Sequence, residues 1–141
     1  MITGPAYKEF VDALGPLADG VNSASWWHHA TTYQSSDVFG STKAFYDAFV
    51  AREGSDPDYV HASSAAALVA LQAAIENAGS IDPDKVRAAL RDVSITTFYG
   101  PIDFGANGMN GGRDLPIIQV QDGTVVVLFP EAIKQAELKA F

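Results

Sequence analysis

Apolar residues fall at helical spacing along most of the chain and in β-branched and aromatic runs along its last third. Tyr7, Phe10, Val11 and Leu14 recur at steps of three and four behind Pro5, which suits a first helical position. That predicts a short opening helix stopped by Gly15-Pro16. Asp19-Gly20 turns the chain into a short strand over 21–25 that runs on through Trp26, Trp27, His28 and His29. Positions 30–40 show no period and read as a long loop. Three helices follow. Ser41 caps the first, whose stripe is Phe45, Tyr46, Phe49 and Val50, and Gly54 ends it. The second runs from about Asp58 to Ala78 and stops at Gly79; its middle is almost uncharged, which predicts burial nearly all round. The third has Asp82 as cap and Pro83 at its first position, with Val86, Ala89, Leu90 and Val93 facing inward.

From Ile95 to Phe104 the pattern is that of two short strands broken at Gly100-Pro101. Residues 105–114 form a turn-rich connection. Asp122-Gly123 between apolar runs is a strong hairpin signal. Val125 to Phe129 is apolar on both faces, which predicts a central strand covered on both sides. A short helix over about 130–138 closes the chain. Long helical stretches between strands imply a layered α/β domain.

Composition narrows the chemistry. Nine Lys and Arg against 17 Asp and Glu, out of 141 residues, give a net charge of −8. The basic residues are scattered singly, so no patch for nucleic-acid phosphates exists. With 48% hydrophobic and 18% charged residues the chain lies outside the disordered class. It contains no Cys, which excludes disulfides, thiol catalysis and Cys-ligated metals. No apolar run is long enough to span a bilayer. Residues 1–5 lack the features of an export signal, which fits a cytoplasmic domain or a piece of something longer.

Motifs for catalysis are missing. The glycine-rich 105–112 segment lacks the phosphate-loop pattern, and its one cation is Arg113. Asp103, Asn107, Gly108 and Asp114 imitate a calcium loop, but Gly105 stands where a ligand belongs and the flanks read as strands. His28 and His29 point to opposite faces of an extended chain and cannot readily share a metal. No serine sits in a nucleophile elbow. The expectation is a non-enzyme with no metal and no cofactor. What remains is aromatic: Trp26, Trp27, Tyr33, Tyr59 and His61 lie at element boundaries, where such side chains serve a domain interface or a small-ligand pocket. Both readings stay open on the residues alone. Two consecutive tryptophans cannot both face one core from a strand, so at least one has another covering.

Several segments in succession resemble a known family. They are Asp19-Gly20-Val21 through Trp26-Trp27, Pro57-Asp58-Tyr59 before an Ala-rich helix, and Ser80-Ile81-Asp82-Pro83 through Leu90. Tyr99-Gly100-Pro101-Ile102-Asp103-Phe104, Asn107-Gly108 and the Gln121-Asp122-Gly123 hairpin complete the series. Their order and spacing are similar to the C-terminal portion of type I periplasmic binding proteins of the Leu/Ile/Val-binding kind. These are extracytoplasmic receptors of ABC importers for amino acids and related acids or amides.

The resemblance implies an incomplete three-layer α/β/α fold, with residues 1–25 and 115–141 in the second lobe, 26–104 in the first, and 105–114 as a crossover. It implies a small amino acid or aromatic acid as ligand, an ABC permease as partner of the intact parent, and a periplasmic or extracytoplasmic location for that parent. A ligand-sensing receptor of the same fold is the alternative. Tyr59 resembles the aromatic that stacks on ligand from the start of the long helix. Trp26 and Trp27 lie where the chain leaves the second lobe at the cleft, with His28 and His61 as neighbours. The loops that grip the ligand's charged groups belong to the absent N-terminal portion, so weak or no binding by this chain is expected. Open sheet edges and an uncovered apolar helix imply self-association, which would complete the fold.

Overall fold

The computed structural model describes residues 3–140. A 3-10 turn at Gly4–Ala6 leads into helix α1 (Lys8–Leu14), and a second at Gly15–Ala18 leads into strand β1 (Asn22–Ala24). After an irregular stretch come α2 (Thr42–Glu53), α3 (Tyr59–Ala78) and α4 (Pro83–Arg91). Strands β2 (Ser94–Thr97), β3 (Gly100–Asp103), β4 (Ile117–Gln121) and β5 (Thr124–Phe129) follow.

The helix ends lie where capping chemistry puts them. Ser41 Oγ accepts the Ala44 N–H at 3.1 Å, and the Asp58 carboxylate accepts those of Val60 and His61. Asp82 does the same for Asp84 and Lys85, with Pro83 next to it. Each such cap is worth about 1 kcal/mol. Gly54 and Gly79 adopt the left-handed conformation that terminates α2 and α3.

Two hydrophobic cores result. The larger is drawn from residues 27–104. In it Phe45 stacks on Phe98 with centroids 4.1 Å apart, Trp27 meets Phe45 edge-on at 5.7 Å, and Val93 and Ile102 fill in from the β2–β3 hairpin region. Ala62, Ala66, Ala70 and Ala74 let α3 lie close against its neighbours. The smaller core gathers Ala6, Ile118, Val127 and Ile133, with Tyr7, Ala30, Tyr33 and Val125 at its margin.

Three expectations need correcting. Helix α3 is buried along one stripe only; Leu68 is 68% exposed and Leu71 is also open, because α4 and the hairpin cover a single face. Strand β5 is an edge, not the centre, of the antiparallel sheet β1-β4-β5, and β4 supplies the fully buried Ile118, Gln119 and Val120. The C-terminal helix is only a 3-10 turn, Glu131–Ile133, followed by an extended tail. Its backbone is bound elsewhere: Gln135 N–H donates to the Val127 carbonyl at 2.7 Å, and Lys139 N–H and carbonyl both pair with the Gln119 side chain. The third layer on that face of the sheet is therefore an extended strap. The expected opening helix α1 is present but buries no residue, and Phe10 folds back on its own leading turn beside Gly4.

Candidate functional site

The seam between the two cores is aromatic. Beyond β1, Ser25 N–H donates to the Pro116 carbonyl at 2.9 Å. Ser25 Oγ donates to the Trp27 carbonyl (2.7 Å) and accepts the Trp27 N–H (3.3 Å). This tight turn sends consecutive indoles to different places. Trp27 is 1% exposed inside the larger core, whereas Trp26 remains 47% exposed.

Trp26 stacks on Tyr59, with centroids 5.3 Å apart and 28° between planes. Tyr59 opens α3, so the Asp58 cap fixes where its ring leaves the helix. Tyr7, at the margin of the smaller core, meets Tyr59 at 5.7 Å and 64°. Hydrogen bonding with Tyr59 and then burial push the Tyr7 hydroxyl up to about 12. Behind these rings, Ser63 Oγ donates to the Tyr59 carbonyl at 2.6 Å and shares a 3.1 Å hydrogen bond with the Tyr99 hydroxyl. The Arg113 guanidinium lies 4.3 Å over the Tyr99 ring and donates from Nη2 to the Trp26 carbonyl at 2.6 Å. Gly100, at φ 113°, lets Tyr33 and Arg113 approach; a Cβ there would lie 2.8 Å from Arg113 Cδ. Burial raises the Tyr33 hydroxyl, with the charge of Arg113 opposing it.

A cavity of about 200 Å³ opens along the same seam, lined by Tyr7, Lys8, Asp12, His28, His29 and Asp56 among others. Burial, reinforced by His29, pulls His28 down to about 3, and its Nδ1 accepts the Ala30 N–H at 3.1 Å. Burial also lowers His29, with Asp56 opposing. Asp56 in turn accepts the Tyr46 hydroxyl at 2.7 Å. The two imidazoles lie 4.2 Å apart rather than on opposite faces, because β1 ends at Ala24 and the chain turns at His28, whose carbonyl accepts the Thr31 N–H. Among the described residues no three potential ligands gather to hold a metal ion.

Of the five residues expected at a site, the structure brings Trp26 and Tyr59 into contact. Trp27 is core, His28 is buried beside the seam cavity, and His61 accepts the Asp58 N–H to close the capping box of α3 while packing on Phe49 at 4.9 Å. Sequence reasoning missed Tyr7, Tyr99 and Arg113. Arg113 did carry a signal, as the lone cation between Arg91 and Lys134.

The chain is thus an α/β fold with an aromatic seam between two cores. A family model described as periplasmic binding protein matches residues 1–124, and the chain belongs to that family. It is 28% identical over 143 aligned positions to "Leu/Ile/Val-binding protein homolog 8" of Brucella abortus, covering 96% of this chain and 34% of that protein. The fold is similar to that of a leucine-binding protein LivK from Thermotoga maritima, with a TM-score of 0.64 and 23% identity over 85% of this chain and 33% of that one. It is also similar to the solute-binding protein of an ABC transporter from R. palustris, solved in complex with benzoate, with a TM-score of 0.62 and 23% identity. That match covers 84% of this chain and 31% of the other. The chain thus spans about a third of the length of these relatives. Among the described residues no helix is long and apolar enough to cross a membrane.

Proposed function

We propose that the chain is the C-terminal part of an extracytoplasmic solute-binding protein, without catalytic activity, that captures a small amino acid or aromatic carboxylic acid for an ABC permease. The larger core corresponds to a first lobe and the smaller to a second, with the segments around Trp26 and Arg113 as crossovers at which the intact protein closes by a hinge. The observation that carries this reading is the Trp26–Tyr59–Tyr7 cluster, which joins an aromatic of one core to an aromatic of the other across the seam. Tyr59 and Tyr7 in that cluster offer an apolar wall to a ligand side chain or ring. The names of the relatives, Leu/Ile/Val-binding and benzoate-bound, bracket the ligand class.

A second copy is the partner that best fits the open surfaces. Val60, Leu68 and Leu71 are exposed on α3, and β5 is an apolar edge strand.

The test is a titration of the chain with leucine, valine, phenylalanine and benzoate, read by Trp26 emission and by thermal shift. With one wall of the cleft present, the expected result is no binding, or binding of one chemical class at a Kd no tighter than about millimolar. A Kd about a thousandfold tighter would overturn the single-wall reading.

A further inference from the structure

The face of Tyr59 that would stack on a ligand is already occupied, and the occupant is Trp26. The backbone under Trp26 is fixed on three sides. Ser25 N–H is tied to the Pro116 carbonyl, the Trp26 carbonyl is held by Arg113 at 2.6 Å, and the side chain of Trp27 is locked in the larger core. The Trp26 indole itself is 47% exposed. It can leave Tyr59 by side-chain rotation alone, with no cost in main-chain hydrogen bonds. A stack of this kind is worth roughly three- to tenfold in an equilibrium, which a ligand ring can replace in kind.

We propose that Trp26 is a removable plug on the stacking face of Tyr59, and that a flat aromatic carboxylate takes its place. This rests on the reading of Tyr59 as a ligand wall. The opening has a cation at its border, since the Arg113 guanidinium stays with the Trp26 backbone when the indole swings away. The carboxylate that caps α3, Asp58, is engaged with the helix N-terminus. A planar ring fits where an indole lay 28° from parallel with a phenol; a puckered ring of equal size does not fill the same slot.

The experiment compares the full chain with its Trp26→Ala and Trp26→Phe variants, using benzoate and cyclohexanecarboxylate as probes in ligand-observed saturation-transfer NMR. The buried emission of Trp27 reports that each variant is folded. Benzoate should bind Trp26→Ala roughly three- to tenfold more tightly than the parent chain, with Trp26→Phe between them. Cyclohexanecarboxylate should change by less than about twofold. Weaker benzoate binding on removal of the indole would make Trp26 a wall and overturn the plug, while leaving the solute-binding reading intact. An equal gain for both acids would show a mere cavity and overturn it too. Absence of saturable benzoate binding in all three chains would overturn the plug together with the reading it rests on.

Discussion

The two cores are held by different physics. The larger is closed by aromatic packing: Phe98 is fully buried, stacked on Phe45 and capped by Phe39 at 4.9 Å. In the smaller, four modest apolar side chains sit under a sheet whose far face is tied by amides. Gln119 is fully buried there, donating to the Gly20 and Lys139 carbonyls and accepting from Lys139 N–H and Gln121 Nε2. A packed core tolerates solvent poorly but needs no partner groups. A core closed by hydrogen bonds keeps its shape only while every donor and acceptor is matched. The smaller core therefore depends on the tail, and the larger on rings close in space.

The largest effect is expected at Phe98. Phe98→Ala should cost about 3–5 kcal/mol, measured by urea unfolding. If hydrogen exchange shows the β1-β4-β5 sheet opening at the same denaturant concentration, the cores form one cooperative unit; separate transitions would show that they are independent.

Acid attacks the seam between them. His28 has a folded pKa of about 3, below its ordinary unfolded value of about 6.5. The neutral imidazole is favoured by the fold, so its contribution is complete above about pH 6.5 and falls as pH drops toward about 3. The loss should reach about 3 kcal/mol by about pH 4. His28→Gln should flatten that acid limb; an unchanged profile would mean that His28 is not desolvated.

A smaller effect is expected at Gln119. Gln119→Leu strands the Gly20 carbonyl and both Lys139 backbone groups, at a cost of about 1–3 kcal/mol. Exchange of the amides in 135–139 should accelerate while α3 stays protected. The smallest change in stability, within about 0.5 kcal/mol, is expected for Leu68→Glu on the open face of α3. Sedimentation should nevertheless show dissociation of an assembled species to monomer; a wild-type chain already monomeric at high concentration would remove self-association.

Legibility in the sequence followed the range of the interactions. Ser41, Asp58 and Asp82 with Gly54 and Gly79 mark helix ends through contacts within four residues, and their positions could be read directly. The Asp122-Gly123 turn, with φ of 52° and 76°, is equally local. Periodicity reports which faces are apolar and not which strand lies alongside, so β5 looked central although β4 is. The tail looked helical because nothing near it shows that Gln119, 20 residues away, binds its backbone. At the site, Trp26 and Tyr59 were legible as boundary aromatics. Arg113 reaches Trp26 across 87 residues and Tyr7 meets Tyr59 from the other core, and only folding brings such pairs together.

The strap has a practical consequence for handling the molecule. Lys139 Nζ sits 3.0 Å from both Asp19 and Asp122, beside a backbone already clasped by Gln119. A label or cross-link attached within residues 135–139 would pull on that clasp. Labels meant to leave the protein undisturbed belong on the exposed flank of α4, where Arg87 and Asp84 pair with each other at the surface.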